Sequence, residues 1–131
     1  MAKRTKERIS KIDLIVSSHA RRAKKTAKAF ADEYGYDKDD IRIDSKLYED
    51  VTSAYDEVIL TLPDKADTVA FFAHSPTIGD YANSLTNVRT DSIPTCGVFA
   101  VQADIERWAA FKGAEKVFLL YDYPKNPLVD L

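Results

Sequence analysis

Two uninterrupted apolar runs constrain this chain most. They are Leu14-Ile-Val16, entered through Asp13, and Val69-Ala-Phe-Phe-Ala73, entered through Thr68. A short continuous apolar run bounded by turn residues reads as a strand covered on both faces, as in a parallel sheet. Each run gives way to small polar residues and a change of period. After Ser17-Ser18, the residues Ala23, Ala27, Phe30, Ala31 and Tyr34 recur at helical spacing, with Lys24, Lys25, Lys28 and Asp32 opposite and Gly35 as a stop. After His74-Ser-Pro-Thr77, with Pro76 near a helix start, Ile78, Tyr81, Ala82 and Leu85 mark one helical face.

The remaining segments extend this alternation. Residues 2–11 are helix-prone and polar, with Ile9 and Ile12 to bury. Ile41-Arg-Ile43 is a short strand candidate. Thr52 can cap a helix running to about Leu62, with Tyr55, Val58, Ile59 and Leu62 inward and Pro63 ending it. Gly97-Val-Phe-Ala-Val-Gln102 and Lys116-Val-Phe-Leu-Leu-Tyr121 are the last two strands, joined around Ile105–Phe111 by a short helix or an irregular connection. The pattern predicts one α/β domain over 1–131, with a mainly parallel sheet, helices on both faces and right-handed crossovers.

Composition narrows the classes. With 45% hydrophobic and 31% charged residues, the chain is neither disordered nor fibrous. No apolar run approaches the roughly 20 residues that span a bilayer, and the basic, polar N-terminus lacks the apolar core of a secretory signal. A single cysteine, Cys96, excludes an internal disulfide and points to a reducing cytoplasm. Ten Lys/Arg against Glu7 and Asp13 give residues 1–28 a net charge of +8, inside a chain whose total is −2. Such a stretch can attract an anionic partner or simply solvate helix faces. No aromatic platform interleaves it, so nucleic acid is not an expected partner. Neither is a membrane.

Chemistry is expected where the two apolar runs end. Ligands of open α/β sheets sit outside the carboxyl ends of the strands, and helix N-termini there present free N–H groups and partial positive charge. Arg22 adds a planar fork suited to phosphate. His74 can donate to a phosphoryl oxygen or exchange a proton near neutral pH. Ser18 and Ser75 stand at the same junctions. The sum is an anion site. The plain alternatives are a structural His74, an Arg22 that is one of many surface cations, an exposed loop His19, a surface Glu49 and a packed Cys96. There is no Gly-rich phosphate loop, no Cys/His pair at zinc spacing and no Gly-x-Ser-x-Gly elbow. No metal or other cofactor is expected.

These residues resemble a known family. Asp13-Leu-Ile-Val-Ser-Ser-His-Ala-Arg-Arg-Ala-Lys-Lys-Thr26 is similar to the Ser-x-x-x-Arg-Ala-x-x-Thr segment of the histidine phosphatase (phosphoglycerate mutase-like) superfamily. Val69-Ala-Phe-Phe-Ala-His-Ser-Pro-Thr-Ile-Gly79 resembles its second-histidine segment. Leu47-Tyr-Glu49, Ile93-Pro-Thr-Cys-Gly97 and Tyr121-Asp-Tyr-Pro-Lys125 bring the chain closest to SixA-type phosphohistidine phosphatases. The resemblance implies a three-layer sandwich and metal-independent hydrolysis of phosphohistidine or a phosphomonoester. It implies Arg22 as a phosphate-binding arginine, His74 as the histidine that holds the phosphoryl oxygens, and Glu49 near the place of an acidic proton donor. The implied partner is a phosphorylated protein or small phosphomonoester.

One departure changes the expectation. The family opens with a strand ending in Arg-His, and that histidine is the nucleophile. Met1-Ala-Lys-Arg4 instead matches the helix after that motif, and neither of the two histidines, His19 and His74, follows an arginine. Covalent catalysis of this type needs an attacking imidazole. The expected chain therefore lacks the family's first strand and binds phosphate better than it turns it over. It should also expose strand edges that favour a homo-oligomer or an incomplete sheet. Two rivals stand beside this reading: a non-catalytic phosphoryl-binding or interaction module, and a site in which His19 replaces the nucleophile.

Overall fold

The computed structural model describes residues 1–88 and 97–124. Cys96, nearly all of Ile93–Gly97 and Lys125 lie outside the described residues. In chain order the elements are α1 (Ala2–Arg8), β1 (Leu14–Ser17), α2 (Arg21–Tyr34), β2 (Arg42–Ile43), α3 (Ser53–Ile59), β3 (Val69–Phe72), α4 (Thr77–Leu85), β4 (Val98–Gln102) and β5 (Val117–Asp122). Both apolar runs are strands and both following periodic stretches are helices, so the α/β reading holds.

Side-chain alternation along β1 builds the layers, because successive residues of a strand point to opposite faces. Ile15 packs with Ala27 and Ala31 of α2, joined by Ile12, Tyr36, Ile41 and Phe72. Val16 packs with Leu47, Tyr55, Val58, Ile59, Leu62, Tyr81 and Phe111. Helix α2 thus covers one face of the sheet, while α3 and α4 contribute to the core on the other. The alanines of α2 let its backbone approach the sheet closely, and Phe30 meets Phe72 edge-on at 5.1 Å. Gly35 ends α2 in the left-handed region at φ 67°, where a Cβ would be strained, and its N–H caps the carbonyls of Ala31 and Asp32.

Helix α3 departs from expectation at both ends. Thr52 has helical backbone angles and its side chain makes no capping bond. The helix stops at Ile59, where the Thr61 hydroxyl donates to the Val58 carbonyl at 2.6 Å and competes with the helical ladder. Leu62 is nevertheless buried through the turn that follows.

The strands form two ladders. One is parallel, in the order β2-β1-β3, with Leu14 opposite Val69 and Ser17 opposite Phe72. The other is an antiparallel β4–β5 pair with a register shift between Ala100 and Val101. The sheet is thus mainly parallel as expected, while the crossovers expected between strands do not extend to this last pair. The β4–β5 connection carries only a 3-10 turn at Trp108–Ala110, and antiparallel neighbours need no crossover helix. Val101, Ala103, Ile105 and Trp108 still join the Val16 core, and the Trp108 indole N–H donates to the Ala66 carbonyl at 2.8 Å. At the far end of β5, Arg4 of α1 pairs with Asp122 at 2.6 Å and also donates to the Tyr123 carbonyl. Among the described residues, no helix is long and apolar enough to cross a membrane.

Candidate phosphate site

Because β1 and β3 are parallel and in register, their carboxyl ends open on the same edge of the sheet. The Ser18 N–H donates to the Phe72 carbonyl at 2.9 Å and extends that ladder one residue beyond β1. Both strand-to-helix junctions therefore leave the sheet side by side. The Asp44 N–H donates to the Ser17 carbonyl at 2.8 Å and brings the segment after β2 to the same edge.

The first junction is tightly built. Ser17 and Ser18 are fully buried. The Ser17 hydroxyl donates to the Ser18 carbonyl at 2.8 Å, and the Ser18 hydroxyl accepts the Ala20 N–H at 3.3 Å. Ser18 thus shapes the entry to α2. Arg22 stands in the first turn of that helix, where N–H groups have no intrahelical acceptor. Its side chain is exposed and makes no ion pair or hydrogen bond with the other described residues. Arg21 beside it is also exposed.

At the second junction His74 is one-third exposed. Its Nε2 lies 3.4 Å from Asp50 Oδ1, and its Nδ1 is buried without a hydrogen-bond partner among the described residues. Tyr48 lies against its ring at 4.9 Å, tilted by 42°. Tyr48 also stacks on His19, at 4.5 Å and 30°. Three rings from three segments thus meet at this edge of the sheet: His19 after β1, Tyr48 after β2 and His74 after β3. Ser75 and Pro76 are exposed beyond His74, and Thr77, the first residue of α4, is buried.

The structure joins His74 and His19 through Tyr48 and sets Ser18 at the foot of α2. Glu49 is exposed and makes no ion pair with the described residues; the carboxylate beside His74 belongs to Asp50. Tyr48 and Asp50 are the residues that sequence reasoning missed. Their positions on either side of Glu49 were the available signal, but only tertiary contact shows which of the three reaches the imidazole. Among the described residues, no three His, Cys, Asp or Glu side chains converge as a metal site. A separate cavity of about 330 Å³ lies between α3 and the segment of Trp108 and Lys112, and none of the candidate residues lines it.

No family model matches the chain, and no curated protein sequence matches it. Solved structures do. A protein from Agrobacterium tumefaciens assigned as the phosphohistidine phosphatase SixA superposes with a TM-score of 0.72 at 20% identity, covering 94% of this chain and 75% of that one. A counterpart from Nakamurella multipartitia, with the same assignment, gives 0.71 at 17% identity and covers 95% and 80%. The chain thus shares the α/β fold of these two structures.

Proposed function

We propose that this domain belongs to phosphoryl chemistry of the SixA kind, holding the phosphoryl group of a phosphohistidine or phosphomonoester at the Arg22–His74 edge of the sheet. The observation that carries the reading is the parallel register of β1 and β3, by which both junctions leave the same edge of the sheet. The fold similarity supports the same assignment. A phosphorylated protein or a small phosphomonoester would be the partner.

In this reading Arg22 grips non-bridging oxygens through charge-assisted bonds, and the first N–H groups of α2 add to the positive field. His74 turns its Nε2 from the exposed Asp50 carboxylate, 3.4 Å away, to the same oxygens and donates to them as charge develops. Turnover would further require an imidazole to attack phosphorus, forming an N–P bond while the leaving group departs with a proton, and water then to release phosphate. A carboxyl such as Glu49 would supply that proton. An Arg-His pair at the end of a strand would supply the attacking imidazole, and residues 1–131 contain no such pair. The exposure of β3 is compatible with such a strand beside it: Val69–Phe72 are apolar yet only partly buried, and among the described residues they pair with β1 alone.

Calorimetric titration with inorganic phosphate tests the site. Arg22→Ala and His74→Ala should each weaken binding at least about tenfold, given roughly 1.5–3 kcal/mol for a hydrogen bond to a charged group. Unchanged affinity in both variants would end the reading. Turnover separates the rivals. Binding without hydrolysis favours the phosphoryl-binding module for this chain. Hydrolysis with a phosphoenzyme label on residue 19 would make His19 the nucleophile.

A further inference from the structure

We propose that Tyr48 is a positioning residue for His74, fixing the imidazole over the crevice by packing against its ring; the inference rests on the phosphate-site reading above and deepens it. The backbone of Tyr48 is well held. It closes the 3-10 turn Ser45–Tyr48, whose Asp44 side chain accepts the Lys46 N–H at 3.0 Å. Leu47 beside it is fully buried in the main core. The turn is tied to the end of β1 through Asp44 and the Ser17 carbonyl.

The ring of Tyr48 is placed differently from the rest of its turn. It is 49% exposed, so it does little for the core. Its ring neighbours among the described residues are the two imidazoles. Aromatic pairs with centroids between about 4.5 and 7 Å attract beyond their area of burial, and both distances fall in that range. His74 is therefore in ring contact with Tyr48, while the exposed Asp50 carboxylate lies 3.4 Å from its Nε2; the two neighbours belong to one short segment. Rotating the imidazole would forfeit one contact or both. An imidazole already fixed loses less side-chain freedom when an oxyanion binds, so binding is tighter. Because His19 stacks on the other side of Tyr48, the same ring couples the two junctions that flank the anion site.

The chain has two histidines, so its imidazole Cε1–H proton spectrum holds two resonances. Tyr48→Leu should move both downfield, because the shielding above and below the phenol ring is lost. It should also weaken inorganic phosphate binding between about two- and tenfold, the range equivalent to one aromatic pair. Tyr48→Phe should restore both the resonance positions and the affinity, while the urea midpoint stays the same in all three proteins. Resonances that do not move in Tyr48→Leu would overturn the proposal. So would phosphate binding that depends on Arg22 and His74 but is equal in wild type and Tyr48→Leu; that result would leave the phosphate-site reading intact. A wild-type chain that binds no phosphate would overturn both.

Discussion

Strands β1 and β3 are built from nearly the same kind of sequence and meet different fates. Leu14–Ser17 has a ladder partner on each side, and Ile15 and Val16 are fully buried. Val69–Phe72 is no less apolar, yet among the described residues it has a partner on one side only, and all four of its residues are half-buried. Hydrophobic runs report that a strand is suited to burial; they do not report whether every neighbour is present. Among the described residues the mismatch in β3 is one of pairing, and it lies beside His74, at the edge that carries the proposed chemistry.

Truncation of core side chains gives the largest expected difference between the two strands. Ile15→Ala should cost about 3 kcal/mol, as large-to-small changes at fully packed sites do. Val69→Ala should cost only about 1 kcal/mol, because part of that side chain already meets water. Urea midpoints measure both. Equal losses would mean that β3 is covered in solution and that the comparison fails.

Amide exchange sharpens the same contrast. The amides of β1 should be slow, while those of β3 that do not face β1 should exchange quickly unless chains associate through that edge. Light scattering on the same sample tests the expected self-association. A monomer with all β3 amides protected would refute the open edge.

Asp13 probes the entry to both strands, because its Oδ2 accepts the Asp67 and Thr68 N–H groups at 3.0 and 2.9 Å just before β3. Burial alone would raise this carboxyl. The backbone N–H of Thr68, the nearby Lys11 ammonium and the N–H of Asp67 outweigh it, so the carboxyl sits below its ordinary value. A depressed acid stabilises the folded chain above the unfolded carboxylate range and loses that contribution as pH falls through the folded value. Asp13→Ala should therefore cost about 1 kcal/mol near neutrality. The gap from wild type should narrow in acid, below the usual carboxylate range. A gap independent of pH would remove the charge from the account.

The smallest effect is expected on the far side of the core. The Tyr55 hydroxyl is buried without a hydrogen-bond partner among the described residues, and burial pushes its ionisation up. Tyr81, stacked on it at 4.8 Å, donates to Asp56 at 2.9 Å. Tyr55→Phe keeps the stack and removes an unpaired polar group, so its stability should equal or exceed that of wild type by up to about 1 kcal/mol. Tyr81→Phe leaves Asp56 without this donor and should be the more costly of the two. Thermal melts of both variants decide the order.

Periodicity made the elements legible. The spacing of Ala23, Ala27, Phe30 and Ala31, the stop at Gly35 and the two apolar runs are local properties that each segment carries wherever it lies, and the structure reproduces them. The two junctions were legible for the same reason, as were Arg22 and His74 as their polar residues. The ends of α3 were not: Thr52 is folded into a helical turn by neighbouring contacts, so its hydroxyl does not cap. The antiparallel β4–β5 pairing was not legible either, because strand-forming residues do not encode the direction of a neighbour.

The sequence by itself determined which residues form strands and helices here, and that Arg22 and His74 follow the ends of β1 and β3. It could do so because burial pattern and turn chemistry act over a few neighbouring residues. Only the tertiary structure decided that the sheet divides into two ladders, that Asp50 faces His74, and that Tyr48 stands between the two histidines. Those contacts join segments remote along the chain. They depend on how the packed layers bring loop ends together, a property that no single segment contains.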